Sequence, residues 1–215
     1  MGLIKQGILG GFRKKTGTVV GAYWRTLDVI RALPKSSGKA PTQLQLNQQQ
    51  KFGLVTSFLS NISALIDVGF KSANAITSPM NTAVSYHLKE AITGAEPNFE
   101  LDLTKVRFSM GKLELPLEFN AVAEAGGIIK VGWTYHEADD RYIDSTDVLN
   151  VLAYNPAKQK FVKMTATASR MNMSFELLLP AIFAGDQVHV YASFSSVKKK
   201  LLHSNSEYLG NLTVL

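Results

Sequence analysis

The chain has 215 residues, 46% of them hydrophobic and 19% charged, with 23 Lys or Arg against 17 Asp or Glu and no cysteine. That length holds one large domain or two small ones, with enough apolar content for a core that needs no covalent staples. The lack of cysteine excludes disulfides, thiolate metal sites and cysteine nucleophiles.

The excess charge is confined to the start. Residues 1–40 carry Lys5, Arg13, Lys14, Lys15, Arg25, Arg31, Lys35 and Lys39 against Asp28 alone, a net of +7, while residues 41–215 come to −1. The same stretch holds Gly2, Gly7, Gly10, Gly11, Gly17 and Gly21, interleaved with apolar Ile8, Leu9, Phe12, Val19, Val20 and Trp24. Glycine allows close backbone approach and the apolar groups need burial, so residues 1–41 read as an extended segment that orders against a partner surface. Its apolar run is broken by glycines and lacks the continuous core, roughly 7–15 residues, of a signal peptide. No stretch reaches the roughly 20 apolar residues of a membrane span. The default expectation is a cytoplasmic protein, with an extracellular assembly or a virion as alternatives.

Lys35 to Thr42 form a polar, Gly/Pro-marked linker. Thr42 then reads as an N-cap, and Phe52, Val55, Phe58 or Leu59, Ile62, Leu65 or Ile66, and Phe70 recur at helical spacing. Ser78-Pro79 reads as a second helix start, with Gly94 as its stop. The expectation is a helical hairpin within residues 42–97, its helices near 43–70 and 79–93. Beyond Pro97 the period falls to two, and strands are expected at 117–124, 127–135, 147–154, 160–167, 173–179, 187–195 and 206–214, separated by turn-rich joints. The fold class is thus α+β: the N-terminal segment, the hairpin, and an antiparallel sandwich over 98–215.

Ile128-Ile129-Lys130-Val131-Gly132-Trp133 resembles the second strand of a fibronectin type III module, with its core tryptophan. Leu178-Leu179-Pro180 and Gly185-Asp186-Gln187-Val188-His189-Val190-Tyr191 resemble that module's approach to its sixth strand, although the usual tyrosine before that strand is missing. This likeness implies an immunoglobulin-like sandwich and no activity. Gly10-Gly11-Phe12, Gly17-Thr18-Val19-Val20-Gly21, Ile30-Arg31-Ala32-Leu33-Pro34, Thr42-Gln43, Tyr154-Asn155 and Ser204-Asn205-Ser206-Glu207-Tyr208-Leu209-Gly210 are similar to stretches of a bacterial family defined only as a domain of unknown function. That resemblance implies that segment, helices and sandwich travel as one unit.

The candidates for chemistry are few. Glu137, Asp139, Asp140, Asp144 and Asp147 supply oxygen ligands suited to a hard cation but lack the spacing of a calcium loop; a solvated loop explains them as well. His87, His136, His189 and His203 show no metal-ligand spacing, and no Gly-x-Ser-x-Gly elbow occurs. The glycines fit neither a Walker loop, because Lys15-Thr16 has no preceding glycine, nor a dinucleotide fingerprint, because no Gly-x-Gly-x-x-Gly occurs. Arg13, Lys14, Lys15, Arg25, Arg31, Lys35 and Lys39, with Tyr23 and Trp24 to stack, would suit nucleic acid, but the neutral remainder offers no second basic track. Lys198-Lys199-Lys200 reads as a solvated hairpin tip.

The favoured expectation is a non-enzymatic structural subunit that pairs with copies of itself by adding its head to a sheet edge. Leu3, Ile4, Ile8, Leu9, Gly10, Gly11, Phe12, Val19, Val20, Trp24, Arg25 and Arg31 would make the contact. The alternatives are a monomeric adaptor with the head folded back and a nucleic-acid-associated protein. No cofactor, metal or small-molecule substrate is expected, and an enzyme is the least supported reading.

Overall fold

In the computed structural model, which describes residues 3–4, 10–24, 27–35, 38–71, 77–136 and 142–215, the chain divides into two units, Met1–Thr42 and Gln43–Leu215. The first is a four-stranded antiparallel sheet of β1 (Leu3–Ile4), β2 (Phe12–Thr16), β3 (Val19–Trp24) and β4 (Leu27–Ala32), in that order. The backbone is extended, as the sequence suggests, but the strands pair with one another. Gly17, at φ +60°, lets the chain reverse between Thr16 and Val19, and the Leu33 amide donates to the Thr18 carbonyl at 2.8 Å. Local pairing thereby satisfies backbone groups that an isolated extended segment would leave for a partner.

The second unit begins with α1 (Gln43–Ser60), α2 (Ser63–Gly69) and α3 (Pro79–Glu90). The run expected as one helix over 43–70 breaks at Asn61-Ile62, where the axis turns by 88°. Ser60 and Asn61 cause the break: both side chains donate to the Ser57 carbonyl, at 2.9 and 3.0 Å, and compete with the helix for its acceptor. The break keeps the apolar stripe buried, because Leu59, Ile62 and Ile66 are all fully enclosed. At the start of α3 the Ser78 hydroxyl accepts from the Asn81 amide at 3.2 Å, with Pro79 in the first turn, as expected. This helix ends at Glu90 and not at 93. Ile92–Ala95 (β5) pairs instead with Asn98–Leu101 (β6), so Gly94 lies inside a hairpin rather than closing a helix. No single helix among the described residues is long and apolar enough to cross a membrane.

The remaining strands are β7 (Leu117–Glu124), β8 (Ile128–Thr134), β9 (Val148–Asn155), β10 (Lys160–Met164), β11 (Ser174–Leu178), β12 (Gln187–Ser195) and β13 (Glu207–Thr213). They form two antiparallel sheets, β11-β8-β7 and β10-β9-β12-β13, the three-plus-four order of the module resembled by the sequence. Ile129, Val131, Trp133 and Leu177 face Leu149, Val151, Val190, Ala192 and Phe194 across one core. The opposite face of the four-stranded sheet carries Leu152 and Tyr191, which pack with Phe58, Leu59, Ile62 and Ile66 of the helical layer in a second core. The Tyr191 hydroxyl donates to the Leu103 carbonyl at 2.6 Å and ties the two layers together.

One ion pair is sealed in this body. Arg170 is 2% exposed and Asp147 wholly buried, with guanidinium Nε 3.3 Å from the carboxylate. The guanidinium also donates to the Glu114 carbonyl at 2.7 Å and lies 4.6 Å from the Phe194 ring centroid, while the Arg170 carbonyl accepts the Trp133 indole N–H at 2.7 Å. Burial pushes the Asp147 carboxyl up and the Arg170 guanidinium down. Removing one partner strands the other charge. Arg170→Met is therefore expected to lose about 3–5 kcal/mol of stability by urea denaturation, and Asp147→Leu/Arg170→Met to recover most of that loss; a double variant no more stable than the single one would contradict a charge-pair origin.

Candidate interaction surface

The N-terminal sheet gathers most of the residues singled out by the sequence. Leu3 and Ile4 pair through the backbone with Arg13 and Phe12, Val20 lies opposite Arg31, and Trp24 opposite Leu27. Ile8, Leu9 and Arg25 fall outside the described residues. Gly21 is buried under Phe12: a Cβ there would strike the Phe12 carbonyl and ring. Gly11 lies against the Asp28 carboxylate in the same way. The glycines of the head thus permit close approach between its own strands.

The register sorts the side chains of β3 and β4 by face, since directly opposed residues in an antiparallel pair project to the same side. Val20, Ala22 and Trp24 share one side with Leu27, Val29 and Arg31; Val19, Gly21 and Tyr23 share the other with Asp28, Ile30 and Ala32. Each side carries large exposed apolar groups, Trp24 at 45% and Leu27 at 58% on one, Tyr23 at 51% and Ile30 at 62% on the other. Arg13 sits over the Tyr23 ring, 4.7 Å from its centroid. Among the described residues from Gly10 onward, no hydrophobic side chain before Val55 is buried. Tyr23, Leu27 and Ile30 were not among the contact residues expected from sequence.

The other candidate groups serve the fold. Glu137, Asp139 and Asp140 lie outside the described residues. Asp144 pairs with Lys198 at 2.7 Å, and its carboxylate, which also accepts from Thr146, is held well below the usual range chiefly by the Lys198 bond. Asp147 belongs to the buried pair. No cluster of three metal-ligating side chains occurs among the described residues. His136 is exposed, and His189 Nδ1 lies 2.9 Å from the Tyr208 hydroxyl. His203 Nδ1 is 3.1 Å from the Ser195 hydroxyl. His87 is fully buried: its Nδ1 lies 2.7 Å from the Ala83 carbonyl and its Nε2 accepts the Arg107 amide at 3.1 Å. These bonds fix a neutral ring protonated at Nδ1.

The C-terminal stretch Ser204 to Tyr208 is a clasp. Ser204 Oγ accepts from the Phe194 amide at 2.8 Å, Asn205 Oδ1 from Gly111 at 3.2 Å and Ser206 Oγ from Phe108 at 3.0 Å. Asn155 does similar work at a sandwich end, donating to Asp186 at 2.7 Å and accepting the Lys158 amide at 3.1 Å. Both stretches join segments distant in sequence.

The family of unknown function DUF6266 matches residues 11–210, and the chain belongs to it. No curated protein shows significant similarity to the chain.

Burial lowers the basicity of His87 and, in the same direction, of His189 and His203. A ring that is less basic folded than unfolded favours the native state when neutral. That contribution is complete above about pH 6.5, the unfolded value, and is lost as pH falls. Urea midpoints are expected to fall between pH 7.5 and 5, with a shallower fall in His87→Gln; an equal pH dependence in both proteins would remove His87 from the account.

Proposed function

We propose that this member of the family is a non-enzymatic structural subunit that assembles with copies of itself through the N-terminal sheet. The observation that supports this reading is that no apolar side chain is buried among the described residues of Phe12–Ala32, although Tyr23, Trp24, Leu27 and Ile30 project from the sheet. A single layer of four strands has no core of its own and gains stability by covering a face. Its outer strand β4 adds an edge to which another chain can pair. The stretches that carry the family likeness are occupied with strand turns, close approaches and clasps, which is what a scaffold requires.

The basic strand β2 favours a second reading. Arg13, Lys14 and Lys15 are exposed and would neutralise phosphates, a contribution that weakens steeply with salt. The first reading takes precedence because large apolar groups are exposed on both sides of the sheet, Trp24 and Leu27 on one and Tyr23 and Ile30 on the other.

Light scattering after size exclusion is expected to show an oligomer for the full chain and a monomer for Trp24→Glu or Ile30→Lys, according to which side is covered. Both positions are exposed, so each variant should keep the far-UV circular dichroism of the wild type. A wild-type protein that stays monomeric across a wide concentration range refutes self-assembly. A salt-sensitive shift with single-stranded DNA, abolished when Arg13, Lys14 and Lys15 become alanine, would establish the second reading in its place.

A further inference from the structure

The Gln43–Leu215 unit contains a cleft of about 440 Å³, within the range of small-molecule sites. It lies where α1 ends, beside the end of β6 and the β9–β10 hairpin. Its walls are apolar, the rings of Phe58, Tyr154 and Phe161 together with Leu54, Leu101, Leu103 and Pro156. Tyr154 and Phe161 are stacked with ring centroids 4.5 Å apart, and Phe58 meets both edge-on, at 5.1 and 5.2 Å. Its rim is polar but uncharged: Ser57, Asn61 and Gln159 are exposed there, and no charged side chain lines the cleft. Lys163, close by, is tied to the Asn61 main-chain oxygen at 2.8 Å.

Gln159 is held at φ +51°, in the left-handed region that glycine fills without strain. The hairpin would close more easily with glycine there, and it carries instead an amide at the cleft's rim. The Asn61 side chain spends one N–H on the Ser57 carbonyl and keeps its oxygen as an acceptor.

We infer that this cleft binds a short neutral saccharide. The C–H face of a sugar ring is weakly positive and lies against electron-rich aromatic rings, while its hydroxyls require amide and hydroxyl partners at the edge. A charged ligand would lose hydration without a counter-charge. A wholly apolar one would cover the rim amides and leave them unpaired. The inference stands apart from self-assembly, since every residue it uses belongs to the Gln43–Leu215 unit; either reading can fail alone.

The test is titration of the ¹⁵N-labelled full chain with maltose, cellobiose and N,N′-diacetylchitobiose at tens of millimolar, with adenosine and digalacturonate as planar and anionic comparisons. At least one neutral disaccharide is expected to shift the amide resonances of Asn61, Tyr154, Gln159 and Phe161. Gln159→Gly is expected to keep or raise the melting temperature while weakening that sugar by about three- to tenfold, the loss of one neutral hydrogen bond. The inference is overturned if none of the three disaccharides shifts these resonances, if adenosine or digalacturonate binds more tightly than all of them, or if Gln159→Gly binds as well as the wild type.

Discussion

The four-stranded sheet β10-β9-β12-β13 has to be covered on both faces, and most of the second unit follows from that requirement. Along β12, Val190, Ala192 and Phe194 enter the sandwich core while Tyr191 between them enters the helical core; Val151, Leu152 and Ala153 divide in the same way on β9. A strand buried on both sides cannot be stable in a two-layer sandwich. The helices therefore form a third layer, and the Tyr191 hydroxyl, buried at the seam, is satisfied by the Leu103 carbonyl. This is the physical reason for the helical hairpin to precede the sandwich within one unit.

The N-terminal sheet presents the opposite case. Its register is defined over Val19–Trp24 and Leu27–Ala32, yet its large described side chains are exposed on either side. Backbone pairing fixes such a sheet locally, but hydrophobic burial would have to come from elsewhere. The same glycines that suggested a docking segment are used inside it, Gly21 under Phe12 and Gly11 beside Asp28. The basic groups keep an apolar layer solvated, and Arg13 partly covers the Tyr23 ring.

The sandwich was largely legible from sequence because alternation over Ile129-Lys130-Val131-Gly132-Trp133 and Val188-His189-Val190 has a single structural solution once turns bracket it. Strand β12 was expected over 187–195 and runs from Gln187 to Ser195. The break at Asn61-Ile62 was hidden because apolar spacing continues through it; the deciding competition is between Ser60 and Asn61 side chains and the backbone, a local effect that periodicity does not register. The hairpin β5–β6 was hidden for a similar reason, since Ile92 completes the helical stripe of α3 as readily as it starts a strand. The head's glycines and apolar residues were recognised, but their pairing partners within the head were not. Glycine signals proximity without saying to what.

The aromatic cleft was invisible in sequence because it arises from an incomplete cover. Helix α1 stops at Ser60 and α2 turns away by 88°, so the helical layer seals Leu152 and Tyr191 fully but leaves Tyr154 and Phe161, nearer the β10 edge, only half buried. Phe58 from the last turns of α1 and the carbonyl-bearing segment at Leu101–Leu103 close part of the gap. Deeper in the same layer Ile62 and Ile66 fill the core with aliphatic side chains. Here Ser57, Asn61 and Gln159 occupy the opening, so the same 88° bend that buries one part of the sheet leaves a recess with apolar walls and neutral polar edges.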